Sequence, residues 1–171
     1  MVSTGFSIRA AQQEDFADIA RMLHELTRQM HSWEPEFRPR ALGLTPALIA
    51  DRLAAADTLN LVAVKAGICA GFAAASFHAN EGSDFVFPHT RVWLSLLVVD
   101  THARRGGIGR GLFAAVEAWA EQRGADSMAL NVFSKNQTAQ SFYQALGYVP
   151  YVETRQKRLR SIARLEQPDA D

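Results

Sequence analysis

The fifteen residues Val98-Val-Asp-Thr-His-Ala-Arg-Arg-Gly-Gly-Ile-Gly-Arg-Gly-Leu112 decide how this chain is read. They close an apolar run, Val92 to Val99, that has the composition of a buried strand. A short polar turn follows, with Arg104 and Arg105 before Gly106, Gly107 and Gly109. Then an apolar-periodic helix begins at once, carrying Leu112, Phe113, Val116 and Trp119 on one face. A strand feeding a glycine-rich turn at a helix N-terminus suits an anion, because free backbone N–H groups and the helix dipole both favour negative charge there. Taken alone, the turn leaves two readings open: an anion cradle, or a tight strand-to-helix connection.

Two familiar anion cradles do not fit. No Lys-Ser or Lys-Thr pair follows a glycine at Walker A spacing. Gly107 and Gly109 match the first two glycines of a dinucleotide fingerprint, but Leu112 stands where the third belongs. What remains is Arg104-x-x-Gly107-x-Gly109.

Working outward, 171 residues point to a single domain, 1–171, large enough to bury a core without staples. Eighteen basic residues balance eighteen acidic ones, so the charge suggests neither a nucleic-acid nor a membrane-surface partner. The single cysteine, Cys69, excludes an internal disulfide framework and a cysteine-based zinc site, and no metal is expected. No apolar stretch approaches the roughly 20 residues that span a membrane. The opening residues carry no signal-peptide pattern, so the expected location is cytoplasmic.

In chain order, residues 6–10 read as a strand, and Gln13 to about His31 as an amphipathic helix with Phe16, Ile19, Leu23, Leu26 and Met30 inward. Pro35, Pro39 and Gly43 mark residues 32–44 as a loop, and Thr45-Pro46 starts a helix running to about Ala56. Residues 59–64 and 68–77 are strands joined in a hairpin across Lys65-Ala66-Gly67. After a polar loop come the central strand, the turn and a helix over 109–123. A strand over 128–133 follows, then a helix capped by Ser134 and Gln137 and ending at Leu146-Gly147. A last strand is expected from Tyr148 to about Leu159, with 160–171 a frayed tail. The order β-α-α-β-β-β-α-β-α-β predicts an α/β fold with one mixed, mostly antiparallel sheet and helices on both faces. The crossover from Val99 to Met128 should make a parallel pair.

A second constellation lies about 30 residues beyond the turn: Asn131-Val-Phe-Ser-Lys-Asn136-Gln-Thr-Ala139-Gln-Ser-Phe142-Tyr143-Gln-Ala-Leu146-Gly147-Tyr148. Ala139, Phe142, Tyr143 and Leu146 recur at helical spacing, so on this helix alone Tyr143 reads as a core tyrosine and Asn136 as a cap. Together, in this order, the two stretches resemble the GNAT superfamily of acetyl-CoA-dependent N-acyltransferases. The resemblance covers roughly Val92 to Val152.

That resemblance implies a set of roles. The backbone from Arg104 through Arg105, Gly106, Gly107, Ile108 and Gly109 to Arg110 would wrap the pyrophosphate of coenzyme A. The splayed edge at Leu97, Val98 and Val99 would pair with its pantetheine and polarise the thioester carbonyl. Asn136 would contact the cofactor, and Tyr143 would return a proton to the leaving thiolate. The acceptor would be an amine of a small molecule or a peptide, attacking directly in a ternary complex. Many relatives pair as homodimers.

Two family patterns are missing. Trp93 to Leu96 supply no carboxylate on the central strand, and Asn131 stands where the branch that acetylates ribosomal-protein N-termini carries glutamate. Candidate bases are His78, Glu81, Asp84 and His89, or Glu34 and Glu36 through water, and the sequence selects none. Trp33, Glu34, Glu36 and Phe37 would suit a cationic amine. The alternative to an enzyme is a catalytically silent acyl-CoA-binding module. A nucleotide-binding domain of another class is disfavoured by the failed patterns.

Overall fold

The structure is a computed structural model that describes residues 5–34, 55–157 and 159. The expected helix after Pro46 and the residues Glu36 and Phe37 lie outside the described residues, as does the tail from 160.

Five strands form one sheet in sequential order: β1 (Ser7–Ala10), β2 (Thr58–Lys65), β3 (Ile68–Asn80), β4 (His89–Val99) and β5 (Ser127–Leu130). The first three pairings are antiparallel, and β4 with β5 is parallel, as the crossover requires. The predicted hairpin forms: Lys65 pairs with Ile68 across Ala66 and Gly67.

Alternation along the strands sends side chains to opposite faces, and each face has its own helix. Helix α1 (Phe16–Trp33) lays Phe16, Ile19, Met22 and Leu23 on Val62, Phe72 and Val98. On the other face α2 (Ile108–Gln122) lays Ile108, Leu112, Phe113 and Val116 on Ala63, Ala73, Ala75, Val92 and Leu94. Small residues on β3 let α2 come close. A Cβ on Gly71 would stand 2.8 Å from Ile108 Cγ2, so glycine there is a packing requirement. A short helix, α3 (Gln137–Gln144), leans on the same side through Phe142 and Tyr143.

Two features of β4 position the site. Its pairing with β5 stops at Leu94 opposite Leu130, while β4 continues to Val99, bonded among the described residues only to β3. Beyond Leu94 the two strands part, and among the described residues no strand pairs with that edge of β4. At the same point the register with β3 slips: Ala74 faces Leu96 and Ala75 faces Leu94. Ser95 is the extra residue of this bulge, and its hydroxyl donates to Ala74 O at 3.0 Å.

Three expectations are corrected. β5 ends at Leu130 rather than Phe133, because the chain turns away, with Asn136 N donating to Phe133 O. The cap of α3 is Asn136, not Ser134: its side-chain oxygen accepts from Ala139 N at 3.1 Å. Residues 151–157 form no strand. Pro150 has no N–H to give a ladder, and Val149, Tyr151 and Val152 are 76–80% exposed with no neighbouring strand among the described residues.

Candidate active site

The turn after β4 is built before any ligand is considered. Asp100 N donates to Ala70 O at 3.0 Å, which extends the β3 contact one residue past the strand. The Asp100 carboxylate accepts from His102 N at 2.9 Å and pairs with Arg21 of α1 at 2.7 Å. Those two partners, the backbone N–H first, hold its carboxyl below the usual range. Sequence reading passed over Asp100; its signal was an aspartate at a strand exit, two residues before a bare N–H.

Beyond it the backbone enters the left-handed region twice, at Arg105 (φ +61°) and Gly107 (φ +82°). Gly107 is the N-cap of α2, and its carbonyl accepts the first helical bond, from Gly111 N at 2.9 Å. The N–H groups from Arg105 to Arg110 have no acceptor among the described residues. They are the orphan donors of a helix start, gathered by a loop that alternates handedness. Arg105 and Arg110 are exposed and have no carboxylate partner among the described residues; Arg104 turns its Nε back to Val99 O at 3.2 Å. The result is a concave, positive, donor-rich rim at the open edge of β4.

Helix α3 stands beside this rim. A Cβ on Gly109 would lie 3.6 Å from Val99 Cγ2 and 3.9 Å from the Phe142 ring, so strand, turn and helix meet there. The Tyr143 ring packs on Phe113 and Phe142, with centroids 5.8 and 5.3 Å apart. Its hydroxyl has no hydrogen-bond partner among the described residues. Burial pushes that hydroxyl above the ordinary tyrosine pKa, so it keeps its proton throughout the neutral range. The neighbouring Tyr148 instead donates to Glu117 at 3.3 Å.

The structure therefore brings together Leu97 to Val99, Arg104 to Arg110 and Tyr143. Asn136 is close by on α3, with its oxygen committed to the cap. The candidates for the amine side do not gather in one place. Trp33 and Glu34 sit at the end of α1 against the loop after β5: the Trp33 ring packs tilted against Phe133 with centroids 5.9 Å apart, and Glu34 pairs with Lys135 at 3.4 Å. Lys135 also donates to Trp33 O at 2.6 Å. Glu34 already has a cation, which weakens its reading as a site for a cationic amine. His78 lies near the C-terminal end of β3 and His89 at the start of β4; His78 Nε2 is bonded to Ser76 Oγ at 2.7 Å, and His89 Nδ1 donates to Phe87 O at 3.0 Å. Glu81 and Asp84 lie in the exposed β3–β4 connection. Among the described residues no helix is long and apolar enough to cross a membrane.

Comparison with known proteins agrees with this geometry. The model of the acetyltransferase (GNAT) family matches residues 19–148. No curated protein matches the chain. Among solved structures, the chain is similar to a mutant of the BH1408 protein from Bacillus halodurans, with TM-score 0.86 and 24% identity over 90% of this chain and 99% of that one; this is a likeness of fold. It is also similar to the aminoglycoside N-acetyltransferase AAC(6')-Iy in complex with CoA, with TM-score 0.67 and 25% identity over 91% and 95% of the two chains. An aminoglycoside acetyltransferase from an uncultured soil metagenomic sample, in complex with sisomicin, shares the fold at TM-score 0.66 and 15% identity, over 94% and 100%.

Proposed function

The chain belongs to the acetyltransferase (GNAT) family, and from that premise we propose that it transfers the acetyl group of acetyl-CoA to a primary amine of a small molecule or protein, directly within a ternary complex. The observation that carries this reading is the parting of β4 from β5 beyond Leu94, with the free N–H groups of Arg105 to Arg110 at one end and the unpartnered Tyr143 hydroxyl beside it. The CoA bound to the structural neighbour supports the same donor.

Acetyl-CoA brings an activated thioester and a diphosphate. The diphosphate fits the rim: N–H groups without acceptors, two left-handed residues that open the backbone, and flanking arginines able to make charge-assisted contacts. The open edge at Leu97 to Val99 offers backbone groups to the pantetheine amides, and an N–H there would stabilise the oxyanion that develops on the carbonyl. As the amine nitrogen bonds to the carbonyl carbon, the C–S bond breaks and sulfur leaves with its electron pair. Tyr143 supplies the proton. A thiol has a pKa near 8.5 and tyrosine near 10, so this donation is efficient only when concerted with bond cleavage. The proton lost by the amine leaves through solvent or a base that we do not assign.

Thermal shifts with acetyl-CoA, CoA, ATP and NAD side by side test the reading. A ligand at 100 times its Kd stabilises by about 2.7 kcal/mol, which is visible as several degrees. Stabilisation by acetyl-CoA and CoA alone is the expected result, followed by thiol release with amines. No shift with either overturns the donor assignment. A shift without turnover on any amine leaves a silent acyl-CoA-binding module.

A further inference from the structure

The N-terminal half of β4 carries a second constellation that the donor site does not use. His89 pairs with Asn80, Arg91 with His78 and Trp93 with Ser76, so these six side chains stand on one face of the β3–β4 pair. It is the α1 face, since Ala74 and Leu96 of the same rows pack against the α1 cluster. Five of them line a hollow of about 470 Å³: His78, Asn80, His89, Arg91 and Trp93.

Arg91 is out of place by the usual rules. It is half-buried, and a half-buried cation normally has an acid beside it. Arg9 has Asp15, and the exposed Arg21 and Lys135 have Asp100 and Glu34. Arg91 has no carboxylate partner among the described residues. It is nevertheless held firmly: its Nε donates to Ser127 Oγ at 3.1 Å, and its guanidinium lies over the Tyr151 ring at 5.2 Å. With Nε engaged, the two Nη groups remain as a fixed fork, the geometry that recognises a carboxylate. Among the described residues no acidic side chain lines the hollow to compete for it or to attract a cation.

The hollow also lies in the right place. The rim for the diphosphate is beyond the C-terminal end of β4, and the strands part at Leu94. A donor laid along the open edge brings its reacting end toward Leu94 and Ser95, next to Trp93. Arg91 precedes the parting by three residues, roughly 10 Å along the strand, which an arginine side chain and a short amino acid together can bridge. Resting on the acetyltransferase reading above, we infer that this hollow receives the acceptor and that Arg91 selects an amine that also bears a carboxylate.

The test compares β-alanine, 4-aminobutyrate and 6-aminohexanoate with their carboxamides and with spermidine. Thiol release is measured at saturating acetyl-CoA, and binding of the acids to the CoA-loaded protein is measured by calorimetry. The wild type should favour at least one acid over its amide by about 10-fold or more in kcat/KM. Arg91→Gln should raise KM for that acid by a similar factor, with kcat, use of the amides and acetyl-CoA affinity within about twofold of wild type. Arg91→Lys should restore part of the preference. Equal use of acids and amides, preference for spermidine, or no binding of any acid by protein that still binds acetyl-CoA overturns the inference. Loss of acetyl-CoA stabilisation in the wild type is a different failure, since it removes the underlying acetyltransferase reading.

Discussion

The two halves of β4 work by different means. From Leu94 to Val99 and on into the turn, the strand presents backbone: an edge released by β5, N–H groups without acceptors, and residues in the left-handed region. From His89 to Trp93 the strand is paired on both sides for most of its length and can present only side chains. A backbone site binds what every donor of a class has in common, a diphosphate and amide groups. A side-chain site binds what distinguishes one acceptor from another. On the proposed reading one strand joins an invariant grip to a selective pocket, and the bulge at Ser95 marks the change.

The largest expected effect lies where the halves meet. Tyr143→Phe removes the proposed proton donor but leaves the ring on Phe113 and Phe142, so acetyl-CoA affinity should hold while kcat falls by roughly 10- to 1000-fold. Single-turnover rates separate this from slow product release. An unchanged rate would return Tyr143 to the role of a packing residue and leave the junction without its acid.

Next in size is the backbone half. Gly107 has φ +82°, and the nearest atom to a Cβ there is 4.0 Å away, so a side chain finds room and still meets strain. Gly107→Val should cost about 1–3 kcal/mol locally, or redirect the N–H groups, weakening acetyl-CoA binding by ~5- to 150-fold. The comparison sharpens when this variant is set against Arg91→Gln. The first should raise the donor Kd and spare the ratio of acid to amide acceptors; the second should do the reverse. Wild-type donor affinity in Gly107→Val would break the assignment of the turn.

The same contrast governs what could be read in advance. Glycine records a backbone demand directly, so the turn, its helix and Tyr143 on α3 were visible as spaced letters. The open edge was not, because nothing in Ser127 to Phe133 announces that pairing stops at Leu130; it depends on where the chain turns after β5. Gly71 escaped notice because its reason is a helix 37 residues away in sequence. The Arg91 hollow was illegible for a deeper reason. His78, Asn80, Arg91 and Trp93 are unrelated letters until antiparallel register sets them on one face, and a one-residue slip would scatter them. Residues 148–159 misled in the opposite sense: they read as a last strand, but Pro150 has no N–H to give a ladder, and Val149, Tyr151 and Val152 have no neighbouring strand among the described residues.

The smallest effect concerns what ties the halves together. Asp100 sits at the exit of β4 and reaches across to Arg21 of α1, the helix on the face proposed for the acceptor. Asp100→Asn keeps an oxygen for His102 N but loses the negative charge that faces Arg21, whose side chain is 43% exposed. The cost should be about 0.5–1 kcal/mol, since solvent screens such a pair. The sign with pH follows from the lowered carboxyl pKa. In the unfolded chain Asp100 titrates near 3.9. Its stabilising contribution is therefore complete above roughly pH 5 and fades as pH falls through 4 toward the folded value. Denaturant curves of wild type and variant should differ at pH 7 and draw together as pH falls below about 4. Asp15, held low by Arg9 despite its burial, titrates in both proteins and cancels from the difference. A gap between the two proteins that persists unchanged to pH 3 would mean that Asp100 acts only by shape and that the halves of β4 are not coupled through Arg21.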